Sequence, residues 1–234
     1  MIRAILFNTE MVQALLEERK TATRRLVRRK ELDAVLSSPA RRENPDVPDS
    51  RFIDCLCTAP YEAGDILWVR ETWQEVYETE WSEEDPSGIN IRELILNFDS
   101  IPKVEAGISS MCKSALMKPR MKYFVFKASN IQYADNESGL AWRPSIHMPK
   151  EAARIFLKVT DVHAEKLREM VLADVLMEGI QEAETYEETW DLWHRTWDSC
   201  IKPSDLPTCG WQADPWVWVI RFERCERPEM GARA

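Results

Sequence analysis

The chain has 234 residues, of which 44% are hydrophobic, and it carries a formal net charge of −9 at pH 7. This length and apolar content are enough for one domain with a sizeable buried core. No stretch approaches the roughly 18 consecutive apolar residues that a membrane-spanning helix needs, and the N-terminus has no signal-peptide cleavage site. We therefore predict a cytoplasmic protein that does not enter a membrane.

The sequence pattern of the N-terminal part predicts a strand, a helix and a loop. Residues 2–7 form a short apolar run that is typical of a buried strand. A helix follows, which Asn8 or Thr9 can cap and whose apolar residues recur at helical spacing. Residues 37–50 contain three prolines and show no periodicity, which indicates a surface loop.

The central part contains two predicted strands on either side of an insertion. A turn at Gly64 leads into a strand over residues 66–72. Residues 75–120 begin with an acidic stretch and then have mixed character, so we interpret them as an acidic insertion on the domain. Composition predicts the second strand over 122–128, and two prolines favour an ordered loop over 142–149.

The sequence pattern of the C-terminal part predicts two strands with two helices between them. Residues 153–167 favour a long strand and residues 215–224 a last one. The second helix begins at Thr185, which has capping-box spacing to Glu188. Along it runs a stripe that is typical of a core-facing surface, formed by Tyr186, Trp190, Trp193, Trp197 and Ile201. Strands spread along the chain with helices between them favour an α+β fold with a small mixed β-barrel.

Positive charge is concentrated in one segment of this acidic chain. From Arg19 to Lys30 there are seven Lys or Arg residues and no Asp or Glu, so the total of −9 leaves −16 on the remaining residues. One interpretation is a solvated helix end followed by a turn. The other is an anion site for the phosphates of a nucleic acid or nucleotide. Because the remaining residues would repel nucleic acid, we expect such binding to be confined to one cleft.

The order of these segments resembles the ASCH domain, a PUA-like fold. The residues that carry the resemblance are RKTATRR at 19–25, GDILWVRETW at 64–73 and PWVWVIRFER at 215–224. The longer strings ILFNTEMVQALLEERKTATRR, WRPSIHMP and GWQADPWVWVI look like phage and prophage proteins of that superfamily. The resemblance leaves about 75–120 uncovered. It implies one domain over residues 1–234, with a PUA-like barrel, flanking helices and a cleft associated with RNA or modified nucleosides.

Some small bacterial members of the superfamily are amidohydrolases that remove the acetyl group from N4-acetylcytidine. The resemblance places their lysine and threonine, in a K-T-x-T pattern, on Lys20 and Thr23, and their glutamate on Glu178, with Glu169 and Glu182 as competing positions. It implies Thr23 as nucleophile, Lys20 as the base that activates it and Glu178 as proton shuttle. On a helix-like turn, Lys20 and Thr23 would share a face.

Each of these residues also has a structural interpretation. Lys20 can bind phosphate, Thr21 or Thr23 can cap a turn, and Glu178 can be a surface residue beside a C-cap at Gly179. We therefore predict binding of RNA or a modified nucleoside as the main function. Hydrolysis of an N-acylated nucleoside is the first alternative. The second alternative is a phage accessory protein whose acidic insertion binds a host protein.

Further candidates for the cleft come from the central strand and the loop that precedes the long strand. An Arg or Glu inside a barrel is costly unless it is paired, so one of Arg70 and Glu71 is a candidate, with a salt bridge between neighbours as the alternative. Trp142 can stack on a base. The full set of predicted ligand-binding residues is Arg19, Thr21, Arg24, Arg25, Arg70, Glu71, Trp142, Arg143, Ser145 and His147.

Metal and cofactor sites are not indicated. The six cysteines are expected to be free thiols in a cytosolic chain of this length. Cys55 and Cys57 form a C-x-C pair that lacks the further ligands of a zinc site. The three histidines are far apart in the sequence, and no Walker or Rossmann motif occurs.

Overall fold

The computed structural model describes residues 1–77, 104–105, 121–129 and 142–228. The chain divides into two compact units. The first unit consists of Met1–Arg3, Ala14–Leu67 and Leu157–Cys225. The second consists of Ala4–Gln13, Trp68–Phe156 and Glu226–Ala234. The prediction of one domain over the whole chain stays a prediction.

The described residues contain both helices and strands, in agreement with the α+β class. The helices are α1 (Thr9–Leu16), α2 (Arg29–Leu36), α3 (Pro39–Glu43), α4 (Asp49–Leu56), α5 (Leu172–Met177), α6 (Tyr186–Ser199) and α7 (Leu206–Cys209). The strands are β1 (Ile2–Leu6), β2 (Ala22–Leu26), β3 (Ile66–Arg70), β4 (Trp73–Tyr77), β5 (Val104–Glu105), β6 (Met121–Phe126), β7 (Phe156–Lys166) and β8 (Trp216–Cys225). No helix in this part of the chain has the length and apolar character that would be needed to cross a membrane.

The described strands form two sheets. The larger one has the strand order β1-β3-β7-β8-β2, and the smaller one has the order β4-β6-β5. β2 pairs with β8 in an antiparallel register that aligns Ala22 with Arg221 and Leu26 with Val217. β4 and β6 also pair in an antiparallel arrangement. The closed PUA-like barrel stays a prediction.

The core of the first unit is built around β8. Four consecutive residues of this strand are at most 3% exposed: Val217, Trp218, Val219 and Ile220. A run that is buried on both faces is what a central strand requires, and β8 lies between β7 and β2. The strand therefore fixes β2, and with it the basic segment, against the interior of the unit.

Most of the predicted elements are confirmed. β1, β6, β7 and β8 lie within or close to the predicted strands, and the capping box of α6 forms, since Thr185 Oγ1 accepts from Glu188 N at 3.2 Å. The surface loop over 37–50 is wrong in part, because α3 occupies Pro39–Glu43 with Ser38 as its side-chain N-cap. In the α6 stripe, Trp193 and Trp197 are buried but Tyr186 is exposed. Most of the predicted insertion lies outside the described residues.

Candidate functional site

Lys20 occupies a defined position at the entry to β2. After α1, the backbone turns through Glu18, which has a positive φ of 59°, and the amide of Lys20 donates to the carbonyl of Ala14 at 3.1 Å. The amide of Thr21 then donates to the carbonyl of Met177 at 2.8 Å. Lys20 and Glu178 consequently form an isolated antiparallel bridge, so two distant segments meet at these two residues.

Glu178 is held by the end of α5. It is the C-cap residue of this helix, and its amide donates to the carbonyl of Asp174 at 3.0 Å. Gly179 follows with φ +90°, a backbone conformation that favours glycine. A Cβ atom on Gly179 would lie 2.6 Å from the Cβ of Ala14 and 3.0 Å from the Cβ of Lys20. The close approach of the two segments therefore depends on glycine at this position.

The Lys20 and Glu178 side chains form a buried ion pair. Lys20 Nζ lies 2.8 Å from Glu178 Oε2 and donates a second hydrogen bond of 2.8 Å to the Glu178 carbonyl oxygen. The side chains are 1% and 4% exposed. Burial lowers the pKa of Lys20, with Arg25 and Arg24 acting in the same direction and Glu178 opposing them. Buried groups with perturbed pKa values are concentrated at functional sites.

Arg24 connects this pair to two further carboxylates. Its Nη1 donates to Glu178 Oε1 at 3.2 Å, and its Nε donates to Glu165 Oε1 at 2.8 Å. Its Nη2 lies 2.7 Å from Glu165 Oε1 and 3.7 Å from Asp174 Oδ1. We call Lys20, Arg24, Glu165, Asp174 and Glu178 the buried charge cluster. Because it combines two cations with three carboxylates, it does not present net positive charge to a phosphate.

The buried charge cluster continues outward to a histidine. His163 Nε2 lies 3.8 Å from Glu165 Oε2, and its Nδ1 lies 2.7 Å from Asp161 Oδ2. The carboxylates of Glu165 and Asp161 hold the pKa of His163 above its ordinary value, although burial opposes them. Burial acts to raise the pKa of Glu165, but His163 and Arg24 together hold it below its usual range.

Most cations of the basic segment are paired with carboxylates. Besides Lys20 and Arg24, Arg19 lies 2.6 Å from Glu17. The exposed Arg28 and Arg29 pair at 3.0 Å with acidic residues of α2. At least five of the seven cations thus have a carboxylate partner. These ion pairs account for most of the charge of the segment without a ligand.

The helix-like turn expected for Lys20 and Thr23 is wrong, because β2 begins at Ala22 and Thr23 is a strand residue. Alternate residues of a strand face opposite sides. Arg24 contacts Glu178, so the neighbouring Thr23 faces away from that contact. Its side chain lies in the interior, since the residue is 3% exposed, whereas Thr21 is exposed.

The structure separates the three glutamates that compete for the position implied by the resemblance. Glu178 contacts Lys20. Glu169 is exposed, and its Oε2 accepts from the amide of Lys166 at 3.0 Å. Glu182 is also exposed and lines a surface depression. Of the three, Glu178 is therefore the one that can exchange a proton with Lys20.

This depression has a volume of about 440 Å³. It is lined by Arg19, Leu176, Ile180, Gln181 and Glu182. Its size falls within the range of small-molecule sites, about 300–1,000 Å³. The guanidinium of Arg19 also donates to the carbonyl of Gly179. Arg19 precedes Lys20 in the chain, and the other four lining residues lie within four positions of Glu178, so the depression belongs to the same segments as the ion pair.

Of the predicted cleft residues in the second unit, Glu71 is the buried one. Glu71 is 1% exposed, and its carboxylate accepts two hydrogen bonds from Arg154, of 2.9 and 2.8 Å. Arg70 lies over the Trp68 ring at 5.3 Å and donates to the carbonyl of Ile146. Each of the two candidates therefore has its own partner, and the salt bridge of Glu71 is with Arg154.

The predicted loop residues also belong to the second unit. Arg143 is exposed and lies over the Trp73 ring at 5.2 Å. Ser145–His147 form a short 3-10 turn, and Trp142 is half-buried. None of the described residues forms a group of His, Cys, Asp or Glu side chains suited to a metal ion. The five cysteines among the described residues are free thiols, while Cys112 lies outside them.

Comparison of the chain with protein-family models, with curated proteins and with solved structures gave no match. The resemblance to the ASCH domain therefore stays a prediction.

Proposed function

We propose that this protein hydrolyses the amide bond of an N-acylated nucleoside and that Lys20 and Glu178 transfer the protons. The observation that carries the proposal is their buried ion pair, which joins residues 158 positions apart at 2.8 Å. Taking two charges out of water costs several kcal/mol per ion before pairing. Burial of this kind, together with charged neighbours, is also how the pKa of a general acid or base is brought towards the working pH.

Hydrolysis of the amide requires that one proton is removed from the attacking oxygen and one is delivered to the leaving nitrogen. Neutral Lys20 takes a proton from the attacking oxygen, which adds to the acyl carbon. The C–N bond then breaks, and the proton passes through Glu178 to the leaving amine nitrogen. The products of amide and water are a carboxylic acid and the free nucleoside. Because burial lowers the pKa of Lys20, its neutral form is populated at a lower pH than in a free lysine.

The attacking oxygen belongs either to Thr23, as the resemblance implies, or to a water molecule. The geometry favours water, since Thr23 and Arg24 face opposite sides of β2 and Arg24 contacts Glu178. A covalent acyl-threonine formed during turnover would contradict this choice. Mass spectrometry of the protein after rapid acid quenching measures it directly.

The surface depression supplies the binding site for the nucleoside in this proposal. Leu176 and Ile180 offer apolar surface for a base, and the side chains of Arg19, Gln181 and Glu182 offer hydrogen-bonding groups. The ion pair itself is shielded from solvent, so the acyl group must displace side chains that line the depression in order to reach the pair. Recognition by few polar groups suits a small nucleoside better than a long RNA.

Binding of RNA or a modified nucleoside without hydrolysis is the second candidate. The depression favours it, because its volume suits one nucleoside whether or not a bond is broken. Pairing of five basic residues with carboxylates weighs against a broad phosphate-binding face. Binding of a host protein depends on residues 75–120, most of which lie outside the described part of the chain.

The test is incubation of the purified protein with N4-acetylcytidine and related N-acyl nucleosides, followed by chromatography. We expect deacylation, and a rate at least about 100-fold lower in Lys20→Met and in Glu178→Gln, the usual contribution of a positioned acid or base. Lys30→Met and Glu187→Gln are matched controls on exposed positions and should retain the rate. Binding without turnover by the wild type would support the second candidate, and neither binding nor turnover would contradict both.

A further inference from the structure

We propose that Arg24 is a positioning residue, which holds one oxygen of the Glu178 carboxylate so that the other oxygen faces Lys20. The catalytic part of this inference rests on the proposed function, whereas its structural part does not. Arg24 is not among the three residues that the resemblance assigns to catalysis. It is nevertheless 3% exposed and contacts the glutamate of the pair directly.

The two oxygens of Glu178 have different partners. Oε1 accepts from Arg24 Nη1 at 3.2 Å, and Oε2 accepts from Lys20 Nζ at 2.8 Å. A terminal carboxylate torsion is otherwise broad and roughly two-fold. With a separate cation on each oxygen, rotation of the group would break both contacts. Arg24 thereby fixes the orientation of the carboxylate in which one of its oxygens faces Lys20.

Arg24 is itself held from two other elements. Glu165 Oε1 on β7 accepts a hydrogen bond from its Nε at 2.8 Å and lies 2.7 Å from its Nη2. Asp174 on α5 lies 3.7 Å from Nη2. A guanidinium presents its donors in a rigid planar fork, which a lysine cannot reproduce. The guanidinium is therefore held by β7 and α5, and it in turn holds the Glu178 carboxylate.

Arg24 also weakens the hold of Lys20 on its proton, although burial is the largest influence on the Lys20 pKa and Arg25 acts more strongly than Arg24. The groups that act on Lys20 are Glu178, which raises its pKa, and Arg24 and Arg25, which lower it together with burial. Without Arg24, Glu178 would still face Lys20, and one of the two cations that lower the Lys20 pKa would be gone. We expect Lys20 to retain its proton to higher pH in such a variant. A residue with only a packing role would leave this property unchanged.

Two variants separate charge from geometry. Arg24→Met removes the positive charge and the planar set of donors. Arg24→Lys retains the charge but lacks the planar guanidinium. The first readout is the pKa of Lys20, which is measured by NMR on protein with isotope-labelled lysine and needs no turnover. The second is the pH profile of kcat on N4-acetylcytidine. Arg221→Met is the matched control, because Arg221 lies at the same 3.7 Å from Asp174 but is half exposed.

We expect Arg24→Met to raise the pKa of Lys20 and to move the pH profile upward with it. Arg24→Lys should leave the midpoint of the profile in place and lower kcat at least about tenfold, which is less than the roughly 100-fold that a positioned acid or base itself contributes. Full kcat in Arg24→Lys would overturn the positioning role, as would an unmoved Lys20 pKa in Arg24→Met. If Arg24→Met does not fold, Arg24→Lys decides the question through kcat. If the wild type shows no turnover, the proposed function fails and the Lys20 pKa still decides the structural part.

Discussion

The Lys20 ammonium donates 2.8 Å hydrogen bonds to both the side-chain carboxylate and the main-chain carbonyl of Glu178. The same two residues are joined as a backbone bridge. A lysine side chain ordinarily has several free torsions, and here its end is fixed by both oxygens. The pair is therefore part of the contact between α5 and the entry to β2, so its loss affects stability as well as any chemistry.

Glu178→Gln should destabilise the protein by about 3 kcal/mol, because removal of one partner leaves a buried charge without compensation. Urea unfolding followed by circular dichroism measures the change. Asp33→Asn is the matched control, since the Arg29–Asp33 pair is 72% and 62% exposed and should matter little. The double variant Lys20→Met/Glu178→Gln should lose less than the sum of the single variants. Strict additivity would show that the two side chains do not interact energetically.

Gly179→Ala should be more destabilising than Gly64→Ala. Both glycines have φ +90°, so each substitution carries the backbone cost of a left-handed conformation, about 1–2 kcal/mol. A Cβ at Gly179 also collides with Ala14 at 2.6 Å, whereas a Cβ at Gly64 meets no atom within 4 Å. Thermal unfolding of the two variants measures the difference.

Equal melting temperatures for the two variants would contradict the close approach at Gly179. Gly179→Ala should additionally weaken the proposed hydrolysis, since the Cβ would also lie 3.0 Å from the Lys20 Cβ and push the lysine from Glu178. Gly64→Ala should leave hydrolysis unchanged.

The strands of this fold are largely predictable from local patterns, whereas the charge cluster is not. Apolar runs identify β1, β6, β7 and β8 because burial selects hydrophobic residues along a strand. α2 was missed, although Leu32, Val35 and Leu36 have helical spacing, because the surrounding basic residues obscure that pattern. β2 was missed for a related reason, since three of its five residues are polar or charged.

The site is predictable only where a resemblance marks it. The resemblance marks Lys20 and Glu178, and the structure places these two residues in contact. The partners Glu165, Asp174 and Arg154 were missed, because each pairs with a residue far away in the chain. No local sequence pattern reports such a pairing. Arg24 was predicted to bind a ligand, but its burial depends on carboxylates that only the fold brings to it.

His163 should make stability decrease as pH rises through its folded pKa. The nearby carboxylates of Glu165 and Asp161 raise this pKa above 6.5, so the protonated ring stabilises the folded state. That contribution is fully present below 6.5 and disappears as the ring loses its proton. The side chain is 35% exposed, so the effect should be small. His163→Gln should flatten this part of the stability profile, measured by urea unfolding across the same pH range, and an unchanged slope would contradict the assignment.

Lys20 should have the opposite effect on stability at higher pH. Its pKa is lowered in the folded state, mainly by burial, from a reference value of 10.5. Between the folded and the unfolded pKa, the unfolded chain binds more protons at this residue, so stability rises with pH in that window. Lys20→Met has no titrating group there and should lack this rise. Parallel urea unfolding of the wild type and the variant isolates the contribution of Lys20 from that of other groups. A difference between them that stays constant as pH approaches 10.5 would mean that Lys20 titrates as it does in the unfolded chain, and it could then not act as a base near neutral pH.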